Sequence, residues 1–367
     1  MKRKGFFVLT LIVIGAMLMV GCSVEGDRPA ANGGSADGGS QQRFTWVAQS
    51  PWPSGTVLHW MAEEIADNIT EMSGGQLTVE MHPSGAIVPP FELLDSVSAG
   101  TVDAIHSWEG YWLGQNPAAG FFAAMPLGMN EQEYMTWVLF DEGADLWQEC
   151  FDNYNVKVLP AGVYTSEVLY HSKVPIENLD DLQGTRVRGV GFWGDIQARL
   201  GASVVAVPGA EVYQSLERGV VDAIEFGIPT DNYNLGYHEV APYLVVPGIH
   251  QPCTTFSFMV NEQKWNELPD HLKKIVETAT ENMWGRAWAY AAYQDMQTME
   301  KYMELEEQGR LTIIEFDAES QAIIRDVTFE YYEELAEEHD FFARVLESQQ
   351  RFLDVYKPWR NFMTPDY

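Results

Sequence analysis

Two segments of the chain, 92–105 and 211–224, repeat one pattern at a distance of 119 positions. Each is a short apolar-faced helix, then a glycine (Gly100 or Gly219), then a strand that contains Val-Asp-Ala-Ile. A glycine at that point provides the left-handed residue that commonly ends a helix. A motif this short can also arise by chance. If the similarity is structural, it predicts two lobes of like construction.

The rest of the chain alternates short apolar strands with helices, which is typical of α/β architecture with mostly parallel sheets. We predict strands over 44–48 and 77–81 and an intervening helix whose apolar residues share one face. From Pro269 onward long helices dominate; the predicted ranges are 269–308, 318–338 and 340–356, with a strand over 311–316. Two α/β lobes and a helical C-terminal segment indicate a hinged, clam-like protein that closes over a small molecule.

The N-terminus has the features of an export signal. A positive start is followed by an almost unbroken apolar run, and residues 1–21 are predicted to be a signal peptide. Leu18-Met19-Val20-Gly21-Cys22 resembles a bacterial lipoprotein box, so Cys22 is the predicted lipid anchor. An ordinary cleaved signal, or an anchor, that happens to contain a cysteine is the alternative. Residues 22–42 are rich in Gly, Ser, Ala and Asn and predict a flexible tether to the body, 43–367.

Composition excludes several classes of protein. The chain has 53 Asp and Glu against 22 Lys and Arg, a formal net charge of −31, so a nucleic-acid or polybasic membrane-surface protein is excluded. No zinc-binding spacing, nucleophile elbow, Walker loop or dinucleotide motif occurs, and we expect no enzyme activity. Cys150 and Cys253 either form a disulfide or remain as two buried thiols.

Arg186 and Arg188 are conspicuous in so acidic a chain. They are two residues apart on one predicted strand, so their side chains share a face. Glycines and the start of a predicted helix over 192–200 follow them. A guanidinium fork beside free helix N–H groups is suited to a carboxylate ligand. Either arginine could instead pair with a surface acid such as Asp180 or Asp181.

Aromatic and acidic residues follow the predicted strand ends, where ligands gather in open α/β sheets. The aromatic candidates for a ligand-binding wall are Trp108, Tyr111, Phe192, Trp193 and Phe226. Glu225 ends a strand and could hold a cation or accept a hydrogen bond from a ligand. The alternatives are core packing for the aromatic residues and a solvated loop for the acid. His106, His250 and Gln251 are weaker candidates.

A resemblance to a known family covers the chain from about Arg43 to near its end. The residues that carry it are the runs 180–188 (DDLQGTRVR), 201–202, 211–213 and 219–225 (GVVDAIE), with 235–248 as the later part. They resemble solute-binding proteins of tripartite ATP-independent periplasmic (TRAP) transporters, in particular the branch that binds 2-oxo acids and lactate. The resemblance implies a two-lobe periplasmic-binding-protein fold of the clam-like type II, with a long helix spanning both lobes. We expect lobe 1 over about 43–165 and lobe 2 over about 166–260, each with part of the C-terminal region.

The resemblance also implies the roles of several residues. Arg188 would clamp the carboxylate of a small organic acid, and a Na⁺ or Ca²⁺ ion would bridge the ligand to Glu225 and the backbone of Phe226. Two positions differ from the branch. This chain has Gln251 where the branch has a second acidic ligand of the metal, and it has Tyr164 where the branch has a glutamine. Losing an acid puts the metal in doubt.

The branch also has an extended, partner-swapping C-terminal helix, which we do not expect here because the chain ends soon after Trp359.

The resulting prediction is a lipid-anchored extracytoplasmic receptor that passes a small monocarboxylate, such as pyruvate or lactate, to a TRAP membrane permease. Two alternatives stay open at this point. One is a binding protein of an ATP-driven transporter, and the other is an extracytoplasmic lipoprotein hydrolase that uses Glu225 as its base.

Overall fold

Short strands and helices alternate through residues 42–364, the part of the chain that the computed structural model describes. The predictions for the signal peptide, Cys22 and nearly all of the tether lie outside these residues. The strands β1 to β11 are, in order, Phe44–Gln49, Leu77–His82, Ala104–Ser107, Val156–Tyr164, Tyr170–Ser172, Arg186–Arg188, Ser203–Val205, Ala223–Ile224, Tyr243–Val246, Thr254–Asn261 and Thr312–Glu315. The α-helices α1 to α12 are Val57–Met72, Leu93–Ser98, Glu131–Phe140, Gly143–Cys150, Gly191–Arg199, Val212–Glu217, Pro229–Asn234, Tyr237–Val240, Glu262–Asn266, Asp270–Glu307, Ala318–Glu338 and Asp340–Met363.

The strands form two mixed sheets. The first has the order β2-β1-β3-β10-β4 and the second has the order β11-β9-β5-β8-β6-β7. β1 pairs in parallel with β2 and β3, whereas β10 is antiparallel to β3 and β4. In the second sheet β5 is antiparallel to both of its neighbours. In each sheet all strands but one run in the same direction, which agrees with the prediction of mostly parallel sheets.

The internal repeat corresponds to two equivalent structural units. α2 leads into β3 of the first sheet, and α6 leads into β8 of the second. Gly100 and Gly219 both have positive φ, 75° and 70°. Their N–H groups donate to the carbonyls of Val97 and Leu216, three residues earlier in each case. The repeat thus reflects one helix–glycine–strand unit used once in each sheet, which confirms the prediction of two similarly built halves.

Strand β10 was predicted to belong to the second lobe but lies in the first sheet. β10 pairs with β3 and β4 of the first sheet, although residues up to about 260 were predicted to belong to lobe 2. The chain has therefore returned to the first half by Thr254. We propose that the second lobe ends near residue 250, before this crossing.

The long helix α10 connects the two halves. Its 38 residues correspond to a length of about 57 Å at the usual rise. Met283 and Ala287 lie against Gly162 of β4, in the first half. Near the other end, the Tyr302 hydroxyl lies 3.2 Å from His171 Nε2 of β5, in the second half. The helix is buried at both ends against different sheets, so it spans both halves, as the resemblance implied.

Helix α1 illustrates why a local pattern forms its element. Thr56 is the N-cap, and its side chain accepts a hydrogen bond from the His59 N–H. Leu58, Met61 and Ile65, spaced by three and four residues, are buried. Capping and an apolar face together orient the start of this helix, which lies beside the site described below.

The last helix is longer than the sequence predicts. α12 continues to Met363, whereas the predicted helix ends at residue 356 and no extended C-terminal helix was expected. Its apolar residues beyond Gln349 are half-buried or exposed; Val355 is 73% exposed and Phe362 is 88% exposed. The predicted helix is therefore present and ends seven residues later than predicted.

No described helix is both long and apolar enough to cross a lipid bilayer.

The two cysteines in the described residues are separate buried thiols. Cys150 lies in α4, where its Sγ is 3.2 Å from Asn116 Nδ2, and Cys253 Sγ lies 3.4 Å from the Met129 carbonyl oxygen. Burial raises the pKa of both thiols above the ordinary value. The disulfide alternative is therefore not realised in this structure.

We expect Cys150 and Cys253 to be unreactive in the folded protein, because a buried, protonated thiol is a poor nucleophile. Native protein treated with iodoacetamide and mapped by mass spectrometry should carry no label at either position. Both should be labelled in guanidinium without added reductant. Labelling that requires prior reduction would show a disulfide and would contradict the structure.

Candidate ligand-binding site

A small cavity lies where the carboxyl ends of β6 and β8 meet residues of the first half. It has about 280 Å³ of empty space. The lining residues are Trp52, Leu58, Trp108, Tyr111, Tyr164, Glu167, Arg188, Val190, Glu225, Phe226, Gln251, Thr254 and Phe256. Most of the wall is aromatic or aliphatic, and a few charged and amide groups project into it. Such a combination is typical of sites for small organic ligands.

Arg188 is held at the end of β6 by several contacts. Its side chain is 2% exposed. Nε donates to the Val207 carbonyl oxygen at 3.1 Å, and Nη1 donates to the Glu225 carbonyl oxygen at 2.7 Å. The guanidinium carbon also lies 5.9 Å from the centre of the Phe226 ring. These contacts fix the plane of the guanidinium, so the group is oriented before any ligand binds.

Arg186 has a different environment although it lies only two residues earlier. It is exposed, and its Nη2 contacts Asp222 Oδ1 at 2.5 Å. Nη1 donates to the Gly219 carbonyl oxygen at 2.7 Å. The partner is thus Asp222 and neither Asp180 nor Asp181. Because β6 runs from solvent towards the cavity, its first residue is outside and its last is inside.

Glu225 follows β8 and forms a buried ion pair with Arg188. Its side chain is fully buried, and Oε2 lies 2.8 Å from Arg188 Nη1. Oε1 accepts a hydrogen bond from the Val190 N–H at 3.3 Å. Burial raises the pKa of this carboxyl, and the positive charge of Arg188 opposes that rise. The alternative of a solvated loop acid is therefore wrong.

Glu167 is a second buried acid in the cavity, and sequence reasoning missed it. Its Oε1 accepts hydrogen bonds from the Tyr164 hydroxyl at 2.9 Å and the Thr254 hydroxyl at 3.3 Å. Burial raises the pKa of Glu167 to about 8, opposed by these bonds and by Arg188. Gln251 is next to it and accepts a hydrogen bond from Thr254 at 2.5 Å. Glu167 thus provides a buried acid beside Gln251, three residues beyond Tyr164.

One carboxylate oxygen and one imidazole nitrogen face each other behind this cavity. Glu167 Oε2 and His250 Nε2 are 3.5 Å apart, and neither has a hydrogen-bond partner among the described residues. Donor atoms of Glu167, Glu225 and His250 all lie within 4.8 Å of one another. Buried polar atoms without partners are costly, so this arrangement fits a bound cation. Gln251 and Phe226 line the same cavity.

The aromatic predictions are only partly right. Trp108, Tyr111, Tyr164 and Phe226 line the cavity, as predicted.

Phe192 and Trp193 do not line the cavity. Phe192 packs in the core against Phe121 and Tyr332, and Trp193 packs against Tyr170 and His250. The reason is that α5 begins at Gly191, so helical geometry directs these two side chains into the core behind the strand end.

Further wall residues come from segments that the sequence analysis treated as loops or core. Trp52 lies in the loop before α1, and its Nε1 donates to His106 Nδ1 at 2.9 Å. Its ring packs edge-on against Phe256 of β10. His106 is therefore a support for Trp52 and does not line the cavity. The Pro51-Trp52-Pro53 sequence marks a rigid loop, but nothing in it indicates which side the indole faces.

Comparison with known proteins identifies the family of the chain. The sequence profile of the DctP family, described as bacterial extracellular solute-binding protein, family 7, matches residues 48–339. The chain is 28% identical, over 98% of its length and 96% of the relative's, to the monocarboxylate 2-oxoacid-binding periplasmic protein all3028 of Nostoc sp..

Solved TRAP periplasmic solute-binding proteins share the fold. That of Pseudoalteromonas atlantica T6c, described with bound sodium and pyruvate, has a TM-score of 0.83 at 27% identity and covers 88% of this chain and 97% of its own. That of Colwellia psychrerythraea, with bound calcium and pyruvate, has a TM-score of 0.82 at 27% identity over 88% of this chain and 98% of its own.

An open relative matches less well. The protein of Rhodobacter sphaeroides, described as an apo open structure, has a TM-score of 0.62 at the same 27% identity, covering 84% of this chain and 98% of its own. The structure of this chain is therefore more similar to those of the two pyruvate-bound relatives than to this open one.

The family assignment decides between the functional alternatives. A receptor of this class binds a small solute and delivers it to a membrane permease; it is neither a hydrolase nor part of an ATP-driven transporter. The chain belongs to bacterial extracellular solute-binding protein family 7, the solute-binding receptors of TRAP transporters.

Proposed function

We propose that this chain captures a small 2-oxo or 2-hydroxy monocarboxylate, such as pyruvate or lactate, and delivers it to a TRAP permease. The observation that carries the proposal is the buried Arg188 guanidinium at a small cavity. A preoriented guanidinium in surroundings of low dielectric constant is suited to pair with a carboxylate. The Nostoc relative's name and the two pyruvate-bound relatives support the same ligand class.

The cavity also favours a short ligand with one acid group. Its empty space, about 280 Å³, is that of a small site. Arg188 is the only basic residue in the lining, whereas Glu167 and Glu225 are acidic. A second carboxylate on the ligand would lie near these acids without a counter-charge. The aromatic wall instead suits a methyl group or a short alkyl chain.

Charge balance supports a cation in the same site. Glu167 and Glu225 carry two acid groups against the single charge of Arg188, and a bound monocarboxylate would add a third negative group. Na⁺ and Ca²⁺ both prefer oxygen ligands, and Ca²⁺ in particular takes carboxylates and carbonyls. We infer that Glu225, Glu167, the Phe226 carbonyl and the Gln251 side chain would hold such an ion. The ion would supply positive charge to the ligand's carboxylate and its neighbouring oxygen.

We also propose that a lipid anchors the receptor to the membrane. The family is extracellular, and a lipid on Cys22 would keep the body near the permease. Mass spectrometry of the exported protein would reveal a lipidated N-terminal cysteine; a free N-terminus at another residue would contradict this anchor.

We expect Arg188→Ala to weaken pyruvate binding by roughly a hundredfold to a thousandfold, because the ligand carboxylate loses its buried partner. The free energy of unfolding should also fall, by about 3–5 kcal/mol, since Glu225 is left buried without its cation. Calorimetric titration and chemical denaturation measure the two effects.

Arg186→Ala is the matched control. It removes the same residue type two positions earlier in the chain, where the arginine forms an exposed ion pair. It should leave pyruvate affinity unchanged. Equal affinities for the wild type and Arg188→Ala would overturn the assignment of Arg188.

We expect Glu225→Gln and Glu167→Gln each to lower pyruvate affinity by more than about tenfold in the presence of Ca²⁺ or Na⁺, because each removes charge from the cation site. Chelation of Ca²⁺ should weaken the wild type when Na⁺ is also absent, and should have less effect on the variants. Calorimetry with metal analysis of the purified protein measures this.

Glu109→Gln is the matched control for neutralising a buried acid. Glu109 is fully buried, accepts a hydrogen bond from Trp147 Nε1 at 3.2 Å and does not line the cavity. It should not change the dependence of binding on cations. Full pyruvate affinity in cation-free buffer would reject the ion and leave the role of Arg188 standing.

A further inference from the structure

Asp231 contacts a helix from the other half of the protein. It lies in α7, which follows the second-sheet strand β8, and its side chain is fully buried. Oδ1 accepts a hydrogen bond from the Val57 N–H at 2.6 Å, and the Leu58 N–H contributes as well. These are the first two residues of α1, which packs on the first sheet. We call this bond set the closure contact.

The closure contact lies beside the binding cavity. Leu58, the second residue of α1, lines the cavity directly. The N-terminal end of a 16-residue helix carries partial positive charge and unpaired N–H groups. An acid from the opposite half that satisfies these groups holds the two walls of the cavity together. Asp231 is therefore placed to stabilise the closed arrangement without touching the ligand.

The surroundings of Asp231 are acidic and dry. Asp295 of α10 accepts hydrogen bonds from the N–H and hydroxyl of Thr230 at 3.0 and 2.7 Å, next to Asp231 in the chain. Glu167 adds negative charge, and the Tyr164 and Tyr237 hydroxyls are the other titratable groups that face it. No basic side chain among the described residues forms an ion pair with Asp231. Its Oδ2 is buried and has no hydrogen-bond partner among the same residues.

We propose that Asp231 couples closure of the cleft to the uptake of one proton, which it holds on Oδ2 while Oδ1 caps helix α1. The structure of this chain resembles the ligand-bound relatives more than the open one, so the contact belongs to the closed arrangement. In an opened cleft the acid would meet water and ionise as an ordinary aspartate. The inference goes beyond the proposed function and uses it only to choose pyruvate as the probe.

The pH dependence follows from the change in environment. Burial raises the pKa of Asp231 to about 8 in the closed form, with Asp295 adding to the rise and the Val57 bond opposing it. A raised pKa stabilises the closed form fully below the ordinary aspartate value, and this stabilisation is lost as the pH rises through about 8. Between those limits, the contribution of Asp231 should weaken ligand binding by up to about tenfold per pH unit as the pH rises.

The experiment is calorimetric titration of the purified protein with pyruvate at pH 7, in buffers that differ in ionisation enthalpy. We expect the wild type to take up about one more proton per bound pyruvate than Asp231→Asn. The asparagine variant keeps the acceptor oxygen on α1, so it should bind well but with a shallower pH profile. Asp231→Ala lacks the acceptor and should bind more weakly at every pH.

Asp103→Asn is the matched control. Asp103 also accepts a backbone hydrogen bond, from the Val47 N–H at 2.8 Å, but within the first half. It should not change proton uptake. Equal proton uptake by the wild type and Asp231→Asn would overturn the proposal even if pyruvate binds tightly.

A ligand-independent measurement covers the case in which pyruvate does not bind and the proposed function fails. Small-angle X-ray scattering of the ligand-free protein should show a larger maximum dimension at pH 9.5 than at pH 5, where protonation of Asp231 favours closure far more than at the pH 7 of the titration. Asp231→Asn should show no such change. Identical scattering of the wild type at both pH values would then reject the role of Asp231.

Discussion

The buried ion pair between Arg188 and Glu225 is the interaction around which the site is built. β6 and β8 are adjacent and parallel, with Arg188 opposite Ile224, so Arg188 and Glu225 leave the sheet at one edge. Burying both charges is costly, and an ion pair alone seldom offsets that cost. Here the Val207 carbonyl, the Glu225 carbonyl and the Val190 N–H supply further hydrogen bonds. The guanidinium is thus held in a fixed orientation at the cavity, where a ligand can pair with it.

Several acids become buried where the two halves meet, and this constrains how the protein closes. Glu167, Glu225 and Asp231 are all buried, and Arg188 is the single arginine beside them. Water no longer screens these groups in the closed arrangement, so their charge must be balanced locally. A cation between Glu167 and Glu225 and a proton on Asp231 are two ways to meet that requirement. The exterior acids differ, because water and salt screen them over about 8–10 Å.

Closure also explains the composite wall of the cavity. Trp52, Leu58, Trp108 and Phe256 come from the first half, while Arg188 and Phe226 come from the second. Neither set encloses a ligand alone. The long helix α10 connects the two halves, and the chain crosses back to the first sheet before β10. Polar recognition is therefore concentrated on one half and much of the apolar enclosure on the other, so affinity depends on both being brought together.

Local sequence determined most of the elements, because capping, glycine position and apolar period act over a few residues. It also predicted Arg188 and Glu225, since a charged residue at a strand end faces the carboxyl edge of a sheet. Only the tertiary structure decided that Phe192 and Trp193 face the core and that Arg186 stays outside. Contacts between residues that are far apart in the chain were likewise decided only by the tertiary structure.

Glu167 joins the cavity because a loop folds towards Thr254, and Asp231 meets α1 from 174 positions away. A periodic pattern contains no information about such contacts. The repeat of one helix–glycine–strand unit could therefore be recognised from the sequence as two similar halves. How the halves close, and which buried acids then need a proton or a cation, depends on distances between residues that are remote in the chain.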